Sequence, residues 1–206
     1  MINMKKYVIT ISREFGCGAR EIARKLASEL GVTLYDKDLV DMAARRAGVN
    51  TDVFKETDEV VVKKKTANML KEFGYGSTFS FYSEAAIDAQ SFVIRDLANN
   101  KKPCIMFGRC ADYVLREHPN VTNFFLYAPM EYRINHIAKA YDLDIRESEK
   151  LIKRVDRQRH NYYKYVTGQN RGDRHGKQLL LDVEAFGVDG CVKMMVDAIN
   201  YLYGDD

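Results

Sequence analysis

At 206 residues, with 46% hydrophobic and 30% charged residues, the chain has the make-up of a globular protein large enough for one domain with a full core. Its net charge of +3 sets 32 Lys and Arg against 29 Asp and Glu, which is too even for a nucleic-acid binder, so any basic site must be local. No run approaches a membrane span, no long apolar signal core opens the chain, and scattered cysteines without a CxxC fit reduced thiols in a cytoplasmic protein.

Tyr7 to Leu30 reads as strand, glycine-bearing loop and helix. Val8, Ile9 and Ile11 form the apolar strand, Gly16 and Gly18 break it, and Ile22, Ala23, Leu26, Ala27 and Leu30 recur at helical spacing. Such a unit aims backbone N–H groups and the positive end of a helix dipole at one point, which phosphate commonly occupies. Val32 to Tyr35 is a second strand, and Asp36 or Asp38 can cap a helix with Leu39, Val40, Ala43, Ala44 and Ala47 inward and Gly48 as its stop. Asn50 to Ser80 reads as an inserted segment of short helix and loop, and its Lys63-Lys64-Lys65 run as a solvated face.

Ser83 to Asn99 forms a further helix, and Cys104 to Gly108 a buried strand followed at once by Arg109. Ala111 to Arg116 is helical, Val121 to Tyr127 a strand, and Glu131 to Tyr141 a helix. Asp144 with Glu147 makes a capping box for a long helix running to about Tyr165, with Ile152, Val155, Arg159, Tyr162 and Val166 along one stripe. A polar loop from Gly168 to Gly176, a strand from Gln178 to Asp182 and a helix from Val188 to Tyr203 close the chain. Strands alternating with helices throughout predict a mostly parallel sheet covered on both faces, with ligands beyond the carboxyl ends of the strands.

A Walker A loop reads GxxxxGK[ST]. Here Gly18 supplies the second glycine, but Ala19 stands at the lysine position and Arg20 at the Mg-binding hydroxyl position. A tight turn kept for packing would explain the glycines alone. Arg13, Arg20 and Arg24 add three guanidiniums, whose planar fork suits phosphate oxygens, although Arg24 equally fits a solvated face. Cys17 reads as a small filler; at a helix N-terminus a thiol can also be activated.

The order of parts resembles the bacterial cytidylate kinases, and more closely the branch called cytidylate kinase-like proteins, whose first motif resembles ISREFGSGG without a lysine. The residues that carry the resemblance are ISREFGCGAREIARKLASELG at 11–31, LYDKDLV at 34–40, GRCADYVL at 108–115, RVDRQRHNYYKYVTG at 154–168 and LLLDVEAFGVDGCV at 179–192. It implies a P-loop NTPase fold, three-layer αβα with a mostly parallel central sheet. The core would span about 1–36, 101–145 and 177–206, the inserted helical monophosphate-binding region about 37–100, and the lid about 146–176.

The same resemblance implies an ATP-dependent nucleotide kinase working with Mg2+. Arg13, Gly16, Cys17, Gly18, Ala19, Arg20 and Glu21 would cradle the donor, with Arg20 in the lysine's role. Arg20, Arg154, Arg157 and Arg159 would stabilise the transferring group. Arg109 matches the family's GR, which holds the acceptor phosphate, and Arg133 matches an arginine after the fourth strand. Asp36 fits either a helix cap or a group orienting the acceptor. Gln158 and Asn161 stand where the cytidylate kinases place an aspartate and an arginine on CMP. No side chain is assigned as a direct metal ligand. The partners expected are small nucleotide substrates, with neither nucleic acid nor membrane. The alternative function is a nucleotide-sensing module with little turnover; a basic scaffold binding RNA or a protein through the lysine-rich helix fits less well.

Overall fold

The structure is a computed structural model that describes residues 6–36, 38–46, 84–100 and 102–204. The inserted segment around Lys63-Lys64-Lys65 and the Gly48 stop lie outside the described residues. In chain order the elements are β1 (Val8–Arg13), α1 (Ala19–Leu30), β2 (Thr33–Tyr35), α2 (Asp38–Arg46), α3 (Glu84–Asn99), β3 (Cys104–Phe107), α4 (Ala111–Val114), β4 (Val121–Tyr127), α5 (Met130–Tyr141), α6 (Ile145–Thr167), β5 (Leu179–Asp182) and α7 (Val183–Tyr203). The chain divides into two compact units, residues 1–35 with 98–206, and residues 36–97.

In the first unit five strands lie in the order β2-β3-β1-β4-β5, and every pairing is parallel. The central position of β1 follows from its sequence. Val8, Ile9, Thr10 and Ile11 are all buried, as expected of a strand covered on both faces, and Ile11 pairs with Phe107 on one side and Phe124 on the other. Ile9, Ile11, Ile105, Phe107, Phe124 and Leu126 form one core with Ile22 and Leu26 of α1 and with Val192, Met195 and Ile199 of α7. Full burial of each such side chain contributes roughly 1.5–3 kcal/mol. The apolar stripe therefore holds α1 in place although no side chain caps its start at Gly18.

On the opposite face of the sheet Thr10 donates to Asn123 Oδ1 at 2.6 Å, and the ring of Phe125 packs under Gly172. Within the second unit, Leu39 and Ala43 of α2 are buried, as are Gln90, Val93, Ile94 and Leu97 of α3.

The closing helix and α6 each depart from the sequence reading. The closing helix begins at Val183 because Asp182 accepts from the N–H groups of Glu184 and Ala185. The first turn is then broken at Gly187, whose φ of 64° and ψ of 175° interrupt it just before the predicted start at Val188. In α6 it is Tyr163, not Tyr162, that continues the buried stripe, because its hydroxyl is drawn to Asp112. The capping residue is Asp144 as read from the sequence, accepting from Glu147 N at 2.7 Å.

Tyr7 and Tyr203 join the two ends of this unit, their rings stacked at 5.0 Å. The Tyr203 hydroxyl shares a 2.9 Å hydrogen bond with buried Thr122, whereas the Tyr7 hydroxyl is buried without a hydrogen-bond partner among the described residues. Tyr203→Phe should therefore cost about 1–2 kcal/mol by stranding Thr122, while Tyr7→Phe should be neutral or stabilising. Urea denaturation midpoints of the two variants check this contrast; equal losses would contradict it.

Candidate functional site

The loop between β1 and α1 rests on two backbone constraints. Gly16 has φ 86°, and a Cβ there would lie 2.9 Å from Ile137 Cγ1 and 3.2 Å from Arg133 O, so only glycine fits against α5. Gly18 starts α1 in the left-handed conformation at φ 81° without a side-chain cap. A helix start of this kind, turned toward the carboxyl end of a parallel sheet, favours an anion.

Two arginines converge on the end of β3. The Arg13 guanidinium lies 4.0 Å from the centroid of the Phe107 ring and that of Arg20 lies 6.0 Å from it. A Cβ at position 108 would collide with Arg13 Nη1, so Gly108 makes room for that side chain. The chain then holds Gly108, Arg109 and Cys110 at φ 80°, 60° and 55°, three successive left-handed residues of which two carry side chains. Strain of that kind costs of order 1–3 kcal/mol per residue and persists where the surroundings enforce it. Arg109 is half-buried at this corner.

The loop is held on its other side by Asp156 of α6. Asp156 Oδ1 accepts from Phe15 N at 3.0 Å and from Arg171 Nη2 at 2.8 Å, and Oδ2 accepts from Arg133 Nη1 at 2.6 Å. Arg171 also donates to Arg13 O, and Arg133 to Phe15 O at 3.3 Å. Glu14 completes the clamp. Its carboxylate lies 3.4 Å from Arg133 Nε and accepts from Ala128 N, while its own N–H donates to Leu126 O.

The predicted site residues thus divide into groups. Arg13 and Arg20 lie over Phe107 at the carboxyl end of the sheet, and Arg109 follows Gly108 in the chain. Arg133 is only 6% exposed, and its guanidinium is engaged by Asp156, Glu14 and Phe15 O, so here it braces the loop. Arg159 reaches the loop through the Phe15 ring at 5.4 Å. Arg154 is half-buried, and Arg157 and Asn161, one helical turn apart, are both exposed. Gln158 has Oε1 buried without a hydrogen-bond partner among the described residues. Arg24 is exposed, as a solvated residue would be. The Glu21 N–H is bonded to Gly18 O and its carboxylate lies 3.7 Å from Lys25 Nζ. Asp36 is the first residue of the second unit.

Cys17 is a filler and not an activated thiol. Its Sγ lies 3.3 Å from Glu14 O and 3.6 Å from Leu126 O, and burial pushes its pKa up to about 11 against the smaller opposing pulls of the helix start and of Arg159 and Arg13. Sequence reasoning missed Glu14, Asp156 and Arg171. A signal was present for Asp156, an acidic residue within a run of arginines and one turn after buried Ile152.

A model of the cytidylate kinase-like family matches residues 8–185. Among solved structures, an uncharacterized protein from Eubacterium ventriosum is 25% identical and superposes with a TM-score of 0.72, covering 96% of this chain and 99% of its own. A gluconokinase from Sinorhizobium meliloti (10% identity, TM-score 0.54, 96% and 94% covered) and a shikimate kinase from Bacteroides thetaiotaomicron (12%, 0.53, 94% and 98%) share the three-layer αβα fold with a parallel sheet. A search of curated proteins finds no match. No helix among the described residues is long and apolar enough to cross a membrane.

Two outcomes follow from the clamp and from the buried thiols. Asp156→Asn removes an ion pair from each of two largely buried guanidiniums, Arg133 keeping Glu14, and should cost about 2–4 kcal/mol, read as a fall in the denaturant midpoint. All four cysteines are buried, and burial raises the pKa of each. Ellman's reagent at neutral pH should therefore label none of them until denaturant is added, and fast labelling of Cys17 would contradict its role as filler.

Proposed function

Because the chain belongs to the cytidylate kinase-like family, we propose that it transfers the γ-phosphate of ATP to a nucleoside monophosphate or a related small acceptor. The observation that carries this reading is the approach of Arg13 and Arg20 to Phe107 at the carboxyl end of β3, beside an uncapped, glycine-started helix, with Arg109 two residues further along the chain.

The loop suits the donor triphosphate. Gly16 and Gly18 let the backbone turn its N–H groups outward, and buried Cys17 and Ala19 keep bulk away from the phosphates. Ala19 removes the usual ammonium. Arg20, one residue on and half-buried beside Phe107, supplies the replacing charge, and the ring limits the guanidinium's freedom. Mg2+ would supply charge neutralisation between the donor phosphates. The ion would be held by water and phosphate oxygens, which Mg2+ accepts.

Arg109, held in the left-handed conformation, presents a guanidinium where an acceptor phosphate would lie. Spending conformational energy on a charged residue at a strand end is reasonable where that charge must be aimed. Arg159, packed over Phe15, is the member of the long helix best placed to steady the transferring group. Arg154 and Arg157 would join it on closure of the lid. Gln158 and Asn161 replace the acid and base that hold CMP, so amide hydrogen bonds would read the acceptor there. Ala19 favours the second reading, a module that binds nucleotide without turning it over.

The test is ADP release from Mg-ATP with CMP, dCMP, UMP, AMP, GMP or no acceptor. Acceptor-dependent release should fall by roughly 10- to 1,000-fold in Arg20→Ala, and Arg109→Ala should chiefly raise the acceptor KM. ATP binding with no ADP from any acceptor would replace the kinase reading with the sensing one, and no ATP binding would end both.

A further inference from the structure

A second cavity of about 650 Å³ opens on the sheet face opposite α1 and α7. It lies between α4, the start of β4, the end of α6 and the loop 168–178. No residue of the loop from Arg13 to Arg20, and neither Arg109 nor Arg159, lines it. Its volume falls within the range of about 300–1,000 Å³ usual for small-molecule sites.

Its inner wall is a buried polar cluster. Asp112 is 5% exposed, and its Oδ2 takes a 2.6 Å ion pair from Lys177 Nζ and a 3.1 Å hydrogen bond from the Tyr163 hydroxyl. Burial and the neighbouring Asp112 carboxylate raise the Tyr163 pKa, so the phenol remains a donor. The other carboxylate oxygen, Asp112 Oδ1, is buried with no hydrogen-bond partner among the described residues, and so is Nδ1 of His118, another lining residue. A buried carboxylate oxygen left unpaired costs about 1–3 kcal/mol or more, and a built-in acceptor of this kind calls for a donor from outside the chain.

The charges around it narrow the donor's chemistry. The lining carries both signs of charge, Asp112 and Asp173 with Lys177 and Arg116, so it complements neither an anion nor a cation throughout. A hydroxyl satisfies both members of the buried pair, donating to Asp112 Oδ1 while accepting from Lys177 Nζ, and an adjacent hydroxyl can serve His118 Nδ1. We propose that this cavity binds a neutral polyhydroxylated molecule, a sugar or the ribose of a nucleoside, at a site separate from the phosphate loop.

The experiment is an amide NMR titration of the full chain with D-ribose, myo-inositol and cytidine, and with inorganic phosphate and spermidine as ionic controls. At least one polyol should shift the signals of Asp112, His118, Gln169 and Lys177 saturably, and should do so with no Mg-ATP present. Binding of ribose and cytidine without inositol identifies the ribose ring; inositol and ribose binding better than cytidine identifies a free polyol. Asp112→Asn should weaken the affinity at least tenfold. His118→Phe, which leaves the Asp112–Lys177 pair intact and so avoids a folding defect, should also weaken it. Shifts from phosphate or spermidine alone would overturn the proposal, as would no shift at these residues from any of the polyols. Neither result bears on ATP turnover, which the ADP-release assay reads at the other site.

Discussion

One carboxylate holds the phosphate loop in place. Asp156 receives the Phe15 N–H, the Arg133 guanidinium and the Arg171 guanidinium, and these partners come from the loop, from α5 and from the segment before β5. The arginine side chains are 7% and 12% exposed and that of Asp156 is 20% exposed, so the pairing takes place largely out of water. In such surroundings the attraction between the charges and the cost of stripping their water are both large, and the arrangement holds only because its parts are present together. Removing the acid would leave Arg133 with Glu14 as its carboxylate and would take from Arg171 its ion pair with Asp156, whereas losing either arginine leaves the acid a remaining partner. The dependence of the loop on α6 is therefore concentrated at one residue.

That anchoring bears on how the long helix can move. A lid that swings as a whole from residue 146 would have to break the Asp156 contacts, which fix the middle of α6 to the backbone of Phe15. The loop 168–178 is tied to both sites described above. Arg171 bonds the backbone of Arg13 and pairs with Asp156, while Lys177 pairs with Asp112 in the second cavity. Occupancy of that cavity and the setting of the phosphate loop thus share a segment of only a few residues.

Much of the fold was legible in the sequence because its signals are local. Val8 to Ile11 and Cys104 to Phe107 are apolar runs short enough to be buried strands, Gly18 marks the start of α1, and Asp144 caps α6 through its own third residue. The arginine gathering was partly legible too, since Arg13 and Arg20 flank the loop and Arg109 follows a strand. The clamp was not. Asp156 meets Phe15 across 141 positions and Arg171 meets Arg13 across 158, and no periodicity reports such pairings. Arg133 shows the same limit. An arginine after a strand suggests a ligand contact, but the nearby Glu14 and Asp156 decide that it braces the loop.

In the proposed function Arg20 takes the part of a loop lysine, which would be a change of geometry as well as of residue type. A lysine at position 19 would place a compact ammonium on a flexible stem directly over the loop. Arg20 begins one residue later, so its charge approaches from the side of β3, where Phe107 lies beneath both it and Arg13. The stacked ring lowers the entropy lost when the guanidinium meets an anion, because the planar group is already restrained before binding. Gly108 belongs to the same device, since any side chain there would displace Arg13, and the strained Arg109 follows directly from that turn. On the proposed reading, Arg13 and Arg20 with Gly108 stand in place of one lysine, and the positive charge they supply lies toward β3 instead of over the loop.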